Sequence, residues 1–229
     1  SGSRGVFVVS RNSNIKNIVN KSLSFSTKKK IIVEEKINGK EFGAQTFSIN
    51  GFCKYVILHD DFMSKINSKI PIGHAMPFST IKKKEDELKI KLEIKKAINI
   101  LGVQNGPCNV DCIYTKSKKL FILEVSPRLG ATCLPQMLKI YTGVDWDINT
   151  INLYNSLKIK KIVEKKINVV AKVFESSKSG IVKKIITGKY FQNAKIKMLV
   201  DKNQKIEKFT NGTKLFGYIV AYSKNRKSL

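Results

Sequence analysis

Cys108-Asn109-Val110-Asp111-Cys112-Ile113, followed by Leu120-Phe121-Ile122-Leu123-Glu124-Val125-Ser126-Pro127-Arg128-Leu129-Gly130, decides the fold. Both runs are short, apolar and β-branched, and a polar Lys116–Lys119 segment separates them, so they read as a hairpin. Side chains alternate along a strand, which puts Asn109 and Asp111 on one face and Glu124 and Ser126 on one face. With the turn centred between Ser117 and Lys118, Asp111 lies opposite Glu124 and Asn109 opposite Ser126. Two directly opposed carboxylates repel. A cation between them removes that repulsion, and a few hard oxygen donors suit magnesium, which completes its shell with water and substrate phosphates. Manganese fits the same donors. Arg128, at the strand end before a glycine and a helix start, is placed to hold a phosphate or carboxylate. A solvated hairpin whose arginine pairs with one of its acids explains any one of these residues, but not the group.

Composition narrows the rest. The 229 residues, 42% hydrophobic, suffice for one large domain or two small ones with a buried core. No apolar run approaches the ~20 residues a spanning helix needs. The net charge of +26 invites a nucleic-acid reading, yet among 43 basic residues the arginines are only Arg4, Arg11, Arg128 and Arg226. Lysine rises evenly with isoleucine and asparagine along the chain, whereas a nucleic-acid footprint clusters and favours arginine's planar fork. Nucleic acid is therefore set aside as the expected partner. With only 17 acids, a carboxylate inside an apolar strand stands out. Cys53, Cys108, Cys112 and Cys133 show neither a disulfide framework nor metal-ligand spacing, so free thiols in a reducing cytoplasm are expected. His59 and His74 stand far apart, with no partner at ligand spacing.

Around the hairpin, Gly5–Val9 reads as a strand leaving a glycine-rich turn, and 14–23 as a helix. The runs 31–34, 42–49 and 52–58, joined at Asn38-Gly39 and Asn50-Gly51, read as an antiparallel meander. Residues 81–101 form an amphipathic helix on Ile81, Leu88, Leu92, Ala97, Ile98 and Leu101, closed by Gly102. Residues 133–141 form another, ended near Gly143. Residues 156–166 read as a lysine-rich exposed connection, and 167–229 as short strands punctuated by glycines. The expected organisation is a domain over 1–155, a basic connection over 156–166, and a small β-rich unit over 167–229.

In this order, the pieces resemble the ATP-grasp superfamily, over residues 1 to about 147 and most strongly from Asn109-Val110-Asp111 to Glu124-Val125-Ser126-Pro127-Arg128-Leu129-Gly130-Ala131-Thr132. The tail is similar, more loosely, to the β subdomain following the grasp in amino-acid ligases. The resemblance implies an α+β fold: the end of the lid subdomain, the C-terminal antiparallel-sheet subdomain, and a small β-rich addition. It implies that Glu34, Glu35 and Ile37 hold adenine largely through backbone groups and that Glu41 binds the ribose hydroxyls. It implies Asp111 and Glu124 as magnesium ligands with Asn109 beside them, and Ser126 where many members have asparagine. Arg128 matches the arginine that steadies the transferred phosphate, and Ser3, Arg4 and Gly5 the end of the glycine-rich loop over the ATP phosphates.

The family's phosphate-contacting lysines and N-terminal domain do not match any part of this sequence. The expectation is the C-terminal portion of an ATP- and magnesium-dependent carboxylate–amine ligase, holding half an ATP site and inactive as an isolated piece. Its substrates would be a small carboxylate and a small amine, and a homo-oligomer is compatible with it. The competing readings are a carbamoyl-phosphate-synthetase-like activity on the same fold, a basic nucleic-acid-binding module and a truncated remnant. His74, in Gly73-His74-Ala75-Met76-Pro77, is weighed equally as a loop histidine and a functional one.

Overall fold

Strand β1 (Lys40–Ile49) turns back through Asn50-Gly51 into β2 (Phe52–Met63), with Ile49 paired to Phe52. Both turn residues have positive φ, 50° and 79°, the geometry a two-residue hairpin of this twist requires and asparagine-glycine supplies. The computed structural model describes residues 5–66, 70–186, 188 and 193–225. Four further strands, β3 (Pro71–Met76), β4 (Gly106–Tyr114), β5 (Leu120–Ser126) and β6 (Asn168–Phe174), join the first two, and β8 (Ala194–Met198) and β10 (Gly217–Ser223) extend the sheet. The order is β5-β4-β1-β2-β3-β6-β10-β8, antiparallel throughout. A separate pair is formed by β7 (Gly180–Ile181) and β9 (Lys205–Ile206).

Helices α1 (Ile15–Ser24), α2 (Lys84–Ile100), α3 (Leu134–Thr142) and α4 (Trp146–Tyr154) complete the α+β fold. On α2, Ile90, Ile94 and Ile98 form one buried row, packed with Phe42, Ala44, Leu58, Cys108, Val110 and Cys112 from one face of the sheet. Burying each isoleucine contributes ~1.5–3 kcal/mol. On the opposite face, Met137 and Leu138 of α3 and Trp146 of α4 pack on Phe47, Ile57, Met76, Val169 and Ala171. The same strand alternation that sends Phe47 into this second core sends Gln45, Gly43 and Glu41 along the same face, beyond the apolar residues.

The structure departs from the sequence reading in several places. Residues 6–9 and 31–34 adopt no regular structure, and Ile32 and Val33 are 85% and 87% exposed. Asn38-Gly39 closes no hairpin; it leads directly into β1. Apolar composition alone made these runs look like strands, but among the described residues neither run joins a sheet. On α2 the buried row is Ile90, Ile94 and Ile98, while Leu88, Leu92 and Leu101 face solvent. Helix α4 and strand β3 were not anticipated. Residues 156–166 are irregular but not simply exposed: Ile162 is buried, and the Lys165 N–H donates to the Tyr141 carbonyl at 2.9 Å.

Candidate active site

The hairpin register places Asn109 opposite Ser126 and Asp111 opposite Glu124, as the alternation predicts. Just beyond, a bulge at Leu123 shifts the register, so that Cys112 pairs with Ile122. Strand β1 lies on the other side of β4, with Gln45 opposite Asn109 and Gly43 opposite Asp111. Strand β2 follows, with His59 opposite Gly43, and then β3, with His74 opposite Asp61. A band of polar side chains thus crosses five strands on one face.

Within the band the buried amides are oriented by their partners. The Gly130 N–H donates to Gln45 Oε1 at 2.9 Å, so Gln45 Nε2 points the other way and donates to Asn109 Oδ1 at 2.5 Å. Asn109 Nδ2 is thereby turned to donate to Asp111 Oδ1 at 2.9 Å. Gln45 is fully buried and Asn109 nearly so, whereas the Asp111 and Glu124 carboxylates reach solvent. Ser126 Oγ donates to Glu124 Oε1 at 2.6 Å. Crowding by protein raises the Asp111 carboxyl above its ordinary value. The Asn109 hydrogen bond opposes this rise, while Asp61 and Glu124 add to it. Glu41 is raised likewise, first by burial and then by Asp61 and Asp111. Among the described residues no lysine or arginine forms an ion pair with Glu41, Asp61, Asp111 or Glu124. The carboxylates of Asp111 and Glu124, with no lysine or arginine ion-paired to them among the described residues, fit a hard divalent cation.

His59 and His74, distant in sequence, meet over Asp61. Their Nδ1 atoms lie 2.9 and 2.6 Å from Asp61 Oδ1, and the rings pack edge to face at 4.8 Å. Gln45 Nε2 is 3.3 Å from His59 Nε2. A carboxylate oxygen can only accept, so each histidine carries a proton on the Nδ1 that faces Asp61. Both rings thus donate to one carboxylate oxygen, and this group is satisfied without an ion, although its donors would be close enough to hold one. Burial alone would raise Asp61, but the two histidines outweigh it and hold the carboxyl well below the usual range. Burial keeps His74 below its ordinary value against the pull of Asp61.

Glycine at position 43 makes room for this arrangement, since a Cβ there would overlap the His59 ring. Gly43→Ala would ordinarily gain ~0.5–1 kcal/mol in a strand from reduced chain entropy. Here the ring is held from both sides, so overpacking wins, and a net loss of ~1–3 kcal/mol is expected in urea unfolding.

Arg128 is exposed and its Nη1 donates to the Leu129 carbonyl at 2.8 Å, leaving it unpaired with the acids of the hairpin. Glu34 and Glu35 are exposed and Ile37 half-buried, in the extended stretch entering β1. Gly5, at a φ of +75°, packs on α1 through Phe25, and Ser22 Oγ donates to its carbonyl. Ser3 and Arg4 lie outside the described residues. Sequence reasoning missed Gln45, His59 and Asp61. A glutamine inside the apolar run Phe42–Phe47 was the one available signal for the first.

Residues 1–136, more than half of the chain, match the sequence profile of the ATP-grasp domain. The chain belongs to the ATP-grasp family. Solved structures of similar fold include phosphoribosylglycinamide synthetase from Anaerococcus prevotii, 29% identical, with a TM-score of 0.73 over 94% of this chain and 56% of that one. L-amino acid ligase from Bacillus licheniformis is 21% identical, with a TM-score of 0.71 over 84% of this chain and 49% of that one. Biotin carboxylase from Campylobacter jejuni is 13% identical, with a TM-score of 0.76 over 100% and 52%. The last two likenesses are of fold alone. The ATP-grasp chain described here spans about half the length of these proteins. No curated protein sequence matches it significantly. Among the described residues, no helix is long and apolar enough to cross a membrane.

Proposed function

We propose that this chain serves the ATP- and magnesium-dependent joining of a carboxylate to an amine through an acyl phosphate. The observation that carries the reading is the Asp111–Glu124 pair, opposed across two strands and without a lysine or arginine partner among the described residues, in a chain with 43 basic residues. Asp111 and Glu124 would hold magnesium, with the Ser126 hydroxyl as a further oxygen donor and Asn109 fixing Asp111. Magnesium, when bound, neutralises charge on the β- and γ-phosphates as the phosphoryl group moves. Arg128 would steady the transferred phosphoryl group and then the acyl phosphate. Glu34, Glu35 and Ile37 would seat adenine, Glu41 the ribose, and Ser3, Arg4 and Gly5 the phosphates.

In this scheme a carboxylate oxygen of the substrate takes the γ-phosphoryl group and ADP leaves. The amine nitrogen then attacks the acyl carbon, phosphate leaves, and the nitrogen loses a proton. Likeness to a phosphoribosylglycinamide synthetase and an L-amino acid ligase supports this class of reaction. A titration with Mn²⁺, followed by water-proton relaxation, tests the site directly. One ion per chain is expected, displaced by Mg²⁺ and bound more tightly when ADP is added. No binding, or binding indifferent to ADP, would overturn the reading.

A further inference from the structure

Gln45 touches two parts of the site that lie far apart along the chain. Its carbonyl oxygen takes the N–H of Gly130, two residues after Arg128, and its amino group holds Asn109, which holds Asp111. The side chain is fully buried and hydrogen-bonded at both ends, so it has one available orientation. We propose that Gln45 is a positioning residue that locks the Asp111–Glu124 pair and the Arg128–Gly130 turn into a single relative placement, so that a divalent ion and the arginine meet the same phosphate. This rests on the cation site proposed above.

Geometry on either side supports the role. Strand β4 carries Asp111, but the Arg128–Gly130 turn lies beyond Ser126, where the pairing of β5 with β4 ends. The hairpin alone therefore leaves the turn free to shift relative to Asp111. Gln45 reaches across from β1 and ties both. Gly130 fits closely over the same link: a Cβ there would meet Asn109 Oδ1 at 2.5 Å and Gln45 Nε2 at 2.9 Å, besides overlapping Leu134. The turn is thus pressed against the amide pair as well as hydrogen-bonded to it. Loss of the link would leave every proposed ligand present and reduce only their alignment, which in metal sites is the task of groups behind the ligands.

The test uses Gln45→Met, of similar volume and without either hydrogen bond, in the full chain with Mn²⁺ as the probe. Mn²⁺ affinity is expected to fall ~10–100-fold although no ligand has been removed. Ile94→Ala weakens the fold from the opposite face of the sheet and separates alignment from general loosening. Its affinity is expected to stay within about twofold of wild type. If Gln45→Met does not fold, Gly130→Ala disturbs the same link from the other end and is expected to lower affinity in the same way. Unchanged Mn²⁺ affinity in a folded Gln45→Met chain, or an equal loss in Ile94→Ala, overturns the positioning role while leaving the cation site intact. Absence of Mn²⁺ binding in the wild type removes both proposals.

Discussion

Glu124→Gln is expected to separate binding from stability, with opposite signs. Glutamine keeps an oxygen that can accept the Ser126 hydroxyl, so the local hydrogen bond survives. It removes one of two charges that face each other across the hairpin, and relief of a like-charge cross-strand pair is worth ~0.2–1 kcal/mol. In the absence of divalent ions the variant should therefore be as stable as the wild type or slightly more so. Divalent affinity should fall at least ~100-fold, because even partners behind a ligand cost 10–100-fold when lost. In the complete enzyme, ATP-dependent phosphate release should fall by ~10²–10³ or more, the scale of removing one group that stabilises transition-state charge. Urea unfolding with chelator, Mn²⁺ titration and a phosphate-release assay read the three quantities. Unchanged turnover would refute the role given to this carboxylate.

Trp146→Ala is expected to give the largest loss of stability, ~3–5 kcal/mol. Trp146 is 1% exposed and meets Phe47 edge to face at 5.5 Å, joining α4 to the core under the central strands. Its indole N–H has no hydrogen-bond partner among the described residues, so the residue contributes through packing while carrying the desolvation of an unmet donor. Trp146→Phe removes that donor and keeps most of the ring, and its cost should stay under ~1.5 kcal/mol. Because Trp146 is the only tryptophan, unfolding of both variants is followed by circular dichroism. A phenylalanine variant as unstable as the alanine one would show that the indole N–H matters to the fold after all.

How much of this was legible depended on the range of the interaction. The pairings Asn109–Ser126 and Asp111–Glu124 were legible from alternation and the expected turn centre, but next to the turn the strands run one residue out of that register, and the bulge at Leu123, which no local signal marked, restores it. Helix α2 could be located but not rotated. Leu88 and Leu92 fit the helical period as well as Ile90 and Ile94 do, and the sheet selects the isoleucine row. Residues 31–34 have the composition of a strand and, among the described residues, none of the pairing, since a strand is defined by its neighbour. Strand β3 was hidden for the converse reason. Gly73 and Pro71 make it look like a loop, and it becomes a strand by lying between β2 and β6, the latter about a hundred residues later.

Short-range chemistry therefore accounts for the hairpin and the arginine beyond it, the residues that most strongly carry the resemblance to the family. Steric alternation and turn geometry act over a few residues and need no knowledge of the rest of the chain. The meeting of His59 with His74, the contact of Gln45 with both Asn109 and Gly130, and the choice of buried helix face arise differently. They depend on the order in which eight strands lie side by side, and that order reflects burial and backbone pairing summed over the whole sheet.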